Sequence, residues 1–226
     1  MSRYVPSALV ALVGVLALGG GALLYRAKRP PVLRISADQA TAAAANDRAD
    51  STHVRGSVNA PVTLEEFGDL QCPPCGRIAE PIAQLEKDFR GRLRVIFRHL
   101  PLATHGNARD AALAAEAAGL QGRFWPMHEL LYREQALWSQ APEARALFAS
   151  YAGSLGLDVG RFQADLAGEA VQARVAADEK RAGELHVSTI PTIFLNNTLV
   201  PPAEAMRPER LRALVAAAVQ GGNAAR

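Results

Sequence analysis

The clearest apolar and polar patterning lies in the middle third of the chain. "VTLEEF", from Val62 to Phe67, is a short β-rich run. Ile78, Ile82, Leu85 and Phe89 then recur at spacings of four, three and four, the period of one buried helical face. Pro73 suits the first turn of that helix, where its missing N–H is no loss, and Gly91 after Arg90 is the expected stop. In "LRVIFRHL", Leu93, Val95 and Phe97 fall on one side and Ile96 on the other, which predicts a mostly buried strand. Strand, helix and strand at this length predict a right-handed βαβ unit with parallel pairing.

From about His105 to His186 the pattern turns helical, with Gly, Asp and Pro as punctuation between "HGNARDAALAAEAAGL", "RFWPMHELLYREQ", "PEARALFASYAGSLGL" and "DVGRFQADLAGEAVQARVAADEKRAGEL". "PTIFLNNTLV" predicts two short strands about an Asn196-Asn197 turn. A closing helix follows, with Pro208 near its start, Leu211, Leu214, Val215 and Ala218 on one face, and Gly221-Gly222 at its end. The order βαβ, helical block, ββα predicts an α/β fold: one sheet in residues 56–226, interrupted by a helical insertion at about 103–186.

The N-terminal stretch differs in kind. Tyr4 to Tyr25 carries no charge, is long enough as a helix to cross a hydrocarbon core of about 30 Å, and ends in tyrosines suited to both interfaces. It is read as a membrane anchor over residues 1–25, or an uncleaved signal, because Tyr25-Arg26-Ala27-Lys28-Arg29-Pro30 is a poor cleavage site. Residues 26–55, with Pro30-Pro31 and "ATAAAANDRADST", read as a linker that holds the body off the membrane.

Charge refines this picture. Of a formal net +3 over 226 residues, residues 1–55 hold seven Arg/Lys against three Asp, giving +4, and the remainder holds 18 basic and 19 acidic residues, giving −1. The body is therefore near neutral, and no nucleic-acid partner is expected. Arg26, Lys28, Arg29 and Arg34 follow the apolar span while only Arg3 precedes it, so the positive-inside tendency places the body in the cytoplasm.

The candidate chemistry is "LQCPPC", which holds the chain's two cysteines, Cys72 and Cys75. A disulfide closing so short a loop is a poor staple, since stabilisation grows with loop length. A zinc site needs about four ligands, and His53, His99, His105, His128 and His186 offer no second pair at metal spacing. Redox exchange explains the placement better. A helix N-terminus favours the thiolate at Cys72, and Cys75, one turn further in, can reach back to resolve a mixed disulfide.

"VTLEEFGDLQCPPC", "HGNARDAALAAEAAGLQGRFWPMHELL" and "STIPTIFLNN" together resemble the DsbA-like thiol–disulfide oxidoreductases, a thioredoxin fold with an inserted helical domain, over about residues 56–220. The resemblance implies that Pro191 is a cis-proline opposite the cysteines, with Ile190 offering backbone hydrogen bonds to an extended substrate. It implies that Glu66 lies beneath the resolving cysteine with a raised pKa and takes its proton, while Glu65 faces the other way and is solvated. Phe124, Trp125, Met127 and Leu130 are implied as core of the insertion. Asp69 is expected in a turn, His105 and Asn107 at a helix start, and His128 and His186 in packing or surface roles.

As partners the resemblance implies protein thiols and disulfides and a membrane quinone-linked reoxidising protein. No cofactor, no metal and a monomer are expected. The two prolines remove N–H groups that would otherwise point at Cys72, so a potential between strong oxidants and reductants is expected. An oxidant of exported proteins, facing out of the cytoplasm, is the leading expectation, against the flanking charges. A reductase or isomerase of the same fold, or a non-catalytic binding or chaperone module, are the alternatives.

Overall fold

Val62–Gly68 forms a strand in which every residue but Thr63 is buried, as a strand covered on both faces must be. The computed structural model describes residues 53–224. The strands are β1 (Val54–Gly56), β2 (Val62–Gly68), β3 (Leu93–His99), β4 (Thr192–Leu195) and β5 (Thr198–Leu199). The helices are α1 (Pro73–Asp88), α2 (Ala108–Gly119), α3 (Phe124–Arg133), α4 (Gln135–Trp138), α5 (Ala144–Ser154), α6 (Val159–Leu166), α7 (Glu169–Glu184), α8 (Pro202–Ala205) and α9 (Pro208–Ala224).

The sheet runs β1-β3-β2-β4-β5. β2 and β3 pair in parallel, Val62 opposite Leu93 through Gly68 opposite His99, which is the βαβ unit expected from the pattern. β4 pairs antiparallel with β2 and with β5. Asn196 and Asn197 turn between β4 and β5 at φ 48° and 63°, a conformation that asparagine tolerates well. The Asn196 side chain also accepts from the Thr63 N–H at 2.8 Å.

Two differences from the sequence expectation concern the edges. β1 pairs antiparallel with β3, so residues 54 and 55, expected in the linker, belong to the sheet. A three-residue strand is too short to show an alternation. α9 runs on through Gly221-Gly222 to Ala224. The expected membrane anchor at 1–25 and most of the linker lie outside the described residues; among the described residues no helix is long and apolar enough to cross a membrane.

One face of the sheet packs on α1 and α9 through Val62, Leu64, Ile78, Ile82, Leu85, Leu211 and Val215. The opposite face meets α7 through Phe67, Phe194 and Ala182. α2 is the hub of the insertion. Its alanines at 111, 112, 114, 115, 117 and 118 are buried, and their small size lets α3, α5, α6 and α7 approach closely.

A buried ionic network fastens α7 to the sheet. Glu65, expected to be solvated, does point away from the α1 face, but it is buried there: it accepts from Arg98 at 2.9 Å and from Arg181 at 2.7 and 3.0 Å. Arg98 donates also to Asp178 at 3.1 Å, and Asp178 accepts from Arg174 at 2.8 Å and from the His99 N–H at 3.0 Å. Arg174, Asp178 and Arg181 follow one another at spacings of four and three, along one face of α7. Taking one partner from such a cluster leaves the others charged and desolvated. Asp178→Ala is expected to lower stability by about 3–5 kcal/mol, read as a lower urea midpoint with an unchanged m-value.

Candidate active site

The site starts from a local conflict that the sequence resolves. α1 begins at Pro73, with Cys72 as its N-cap at φ −75°, ψ 118°. Pro73 and Pro74 occupy the first two helical positions, where the missing N–H groups have no intrahelical partner to lose. The first N–H available to the N-cap is then that of Cys75. The Cys72 side chain accepts no cap hydrogen bond from it; the donor that bears on the Cys72 sulfur is the Cys75 thiol.

Both cysteines are free thiols and both are buried. The Cys72 thiol is pushed down to about 6, first by the hydrogen bond from the Cys75 side chain, against the cost of burial, and further by the Cys75 N–H and the nearby His105. Cys75 moves the other way, because it is the donor in that bond and is deeply desolvated. The two sulfurs are thus unlike: one is poised as a thiolate and the other is held as a thiol.

Beneath them lies Glu66, 2% exposed on the central strand. Burial, helped by the Cys72 charge, raises its carboxyl to about 8, and Oε1 has no hydrogen-bond partner. Space around it is tight, since a Cβ on Gly68 would come within 3.2 Å of that oxygen and 2.7 Å of the Phe97 ring. Electrostatic coupling with Cys75 places the carboxyl close enough to influence that thiol.

The loop leading to Cys72 is held from the insertion, by residues that sequence reasoning missed. Asp69, in its expected turn, accepts from the N–H groups of Gln71 at 2.7 Å and Leu102 at 2.9 Å. It also lies 2.7 Å from His105 Nδ1, which carries His105 to the site's margin. Gln135 donates to the carbonyls of Leu70 at 2.7 Å and Cys72 at 3.1 Å. Gln71 donates to the Ser139 carbonyl at 2.8 Å and accepts from the Asn107 N–H at 2.7 Å. Asn107 stands at the helix start, yet its side chain makes no cap and donates to carbonyls of Trp138, Ser139 and Ala141. Glutamines at positions 71 and 135 carry no spacing signal that links them.

The Ile190–Pro191 peptide is cis. Ile190 packs against the core cluster that contains Cys72 and Cys75. Phe124, Met127 and Leu130 are buried in the insertion, with Trp125 partly so. His128 is buried among the rings of Phe97, Phe124, Trp125 and Tyr132, while His186 is exposed just beyond the end of α7.

A dithiol at a helix start, a buried acid on the strand before it and a cis-proline, on a thioredoxin-like sheet with a helical insertion, define the class of DsbA-type folds. A family model described as thioredoxin matches residues 48–217, and the chain belongs to that family. Among solved structures it is similar to BdbD from Bacillus subtilis, in its oxidised form, with TM-score 0.66 and 25% identity over 74% of this chain and 92% of that one. It is also similar to a thioredoxin-like oxidoreductase from Silicibacter pomeroyi, with TM-score 0.58 and 28% identity over 68% of this chain and 86% of that one. The thiol-disulfide exchange protein alpha-DsbA2 from Wolbachia pipientis shares the fold, with TM-score 0.65 at 20% identity, covering 81% and 99%.

Curated relatives carry a different name. A Na(+)/H(+) antiporter NhaA 1 from Salinispora arenicola is 43% identical over 148 residues, 65% of this chain, and one from Mycolicibacterium gilvum is 40% identical over 149 residues. The chain spans about 22–23% of the length of these relatives.

Two titrations follow from the site. Alkylation of the reduced chain is expected to modify Cys72 with an apparent midpoint near pH 6, and to spare Cys75, as read by peptide mapping. The second concerns stability. An unfolded glutamate loses its proton near pH 4.3, whereas Glu66 in the folded chain holds its proton up to about 8. Between these values only the folded chain holds the proton, so this group's contribution is full below the lower value and lost as pH rises through the upper one. Glu66→Gln is therefore expected to stabilise the reduced chain by roughly 3–5 kcal/mol at about pH 9 and to change little at about pH 4. Urea titrations of both chains at the two pH values check this.

Proposed function

We propose that the protein is a thiol–disulfide oxidoreductase that exchanges disulfides with exported proteins through the Cys72/Cys75 pair and acts as an oxidant. The single observation that carries this reading is the dithiol at the start of α1, Cys72 as its N-cap and Cys75 one turn in, with the Glu66 carboxyl buried on the strand before it. In the oxidising direction a substrate thiolate attacks Cys72 of the Cys72–Cys75 disulfide. That bond breaks, Cys75 leaves as a thiolate, and it takes the Glu66 proton. A second substrate thiolate then attacks its partner sulfur in the mixed disulfide, and Cys72 leaves. A thiol of low pKa is the better leaving group, so the bond at Cys72 breaks readily. In the reverse direction Glu66 takes the proton from Cys75 as it attacks.

Ile190 and Pro191 are assigned to the substrate, whose extended backbone the Ile190 backbone would bind. No step needs a cofactor. Reoxidation is assigned to a membrane quinone-linked partner, and the Tyr4–Tyr25 span to an anchor that holds the domain outside the cytoplasm. The residues that follow that span are basic, which argues for the other orientation, and the redox chemistry outweighs them here. The Na(+)/H(+) antiporter relatives match this chain over 22–23% of their own length, and among the described residues no helix is long and apolar enough to cross a membrane.

Cys75→Ser is expected to accumulate mixed disulfides through Cys72, seen as reducible adducts, and Cys72→Ser to give none. A chain acting only as a binding module forms no adducts in either variant. With prolines at the first two helical positions and so no N–H from either at the Cys72 sulfur, the couple is expected to fall between about −120 and about −270 mV, the values of a strong oxidant and a reductant of this fold. A redox titration against glutathione checks that range, and a value at the oxidising extreme contradicts the role given to the two prolines.

A further inference from the structure

Glu66 can serve Cys75 repeatedly only if its proton reaches solvent, and the sheet closes most routes. Its strand is central, with Phe97 and Ile193 opposite it on the neighbouring strands. It lines a cleft of about 290 Å³ between α1 and α3, shared with Gly76, Tyr132, Trp125 and His128. Arg55, Glu129 and Arg133 also line this cleft, with Arg55 stacked over Trp125 at 4.3 Å and paired with Glu129.

His128 is the unusual member. It is 5% exposed, and neither ring nitrogen has a hydrogen-bond partner among the described residues. A buried imidazole with both nitrogens unpaired is costly unless water reaches it. The rings around it hold it edge-on, with Phe97 at 4.5 Å and Tyr132 at 4.8 Å between centroids. Burial, with Arg55 nearby, keeps it neutral. A neutral imidazole has one N–H donor and one acceptor nitrogen, so it can receive a proton on one side while giving one up on the other.

We propose that His128 relays the proton of Glu66 to solvent through water in this cleft. The relay rests on the exchange reading above. When a mixed disulfide resolves, a Glu66 carboxylate already emptied of its proton through the cleft takes the proton of the Cys75 thiol. The resulting thiolate bonds to the Cys72 sulfur, and the substrate leaves as a thiolate. Glu66 then passes its proton to cleft water and on to one nitrogen of His128, whose other nitrogen releases a proton toward the mouth. Oxidation of the protein dithiol is balanced by reduction of the substrate disulfide. His128 touches neither sulfur; it is a positioning and relay residue that acts through Glu66.

The test mixes the reduced full chain with oxidised glutathione and follows two phases, mixed-disulfide formation, which depends on glutathione concentration, and resolution, which does not. His128→Phe keeps the ring packing and is expected to slow resolution by about tenfold or more, less than loss of a direct acid–base partner because water still enters the cleft. The first phase and the equilibrium constant with glutathione are expected to stay unchanged. In a Glu66→Gln background the same substitution is expected to add nothing. His128→Gln, which keeps a donor and an acceptor, is expected to recover part of the rate and gives a second variant if the first folds poorly. Resolution at the wild-type rate in His128→Phe, or an equal slowing in the Glu66→Gln background, overturns the relay. A wild-type chain that shows neither phase overturns the exchange reading itself.

Discussion

A sulfur held at a helix start by its own partner is the interaction on which the site depends. Cys72 takes the S–H of Cys75, and this single contact makes the two thiols chemically unlike. Everything nearby serves to keep that geometry. The prolines start the helix and withdraw their own N–H groups, Gln135 holds the carbonyls of Leu70 and Cys72, and Asp69 closes the turn before them. The helix end alone would favour a thiolate by a modest amount, whereas the Cys75 thiol acts at the sulfur itself.

The insertion contributes more than bulk. Its far helix is fastened to the sheet by Glu65, Arg98 and Asp178, and its near helices carry Gln135, Tyr132 and His128 to the cysteines and the cleft behind them. Such a network gives little net stability relative to an apolar core, but breaking it is costly, so it fixes where α7 sits. The cysteine loop is thereby positioned from two sides, by the strand before it and by helices that arrive more than sixty residues later.

Much of this was legible in the sequence because it is local. The 4-3-4 apolar spacing of α1, the alternation in β2 and β3, and the Asn-Asn turn each depend on residues a few positions apart. Glu66 was assigned to the cysteines by strand phase and family resemblance, and its burial agrees with that expectation. What was missed depends on distant partners. Glu65 is a solvated strand residue by any local rule, and Arg98 and Arg181, 33 and 116 positions away, make its burial tolerable. His128 looks like packing because nothing in "WPMHELL" reveals that both of its nitrogens would go unpaired. β1 carries too few residues for a period, and His53 just before it is held by Glu116 from α2 at 2.8 Å, a contact no spacing announces.

The account turns on Cys72 being the sulfur that meets the partner and Cys75 the one that follows. Acid-quenching the reduced chain at short intervals after adding oxidised glutathione, then mapping the peptides by mass, locates each bond as it forms. Glutathione on Cys72 first, replaced by a Cys72–Cys75 disulfide, is the predicted sequence. Glutathione on Cys75 first, or on both cysteines with no internal disulfide, contradicts it.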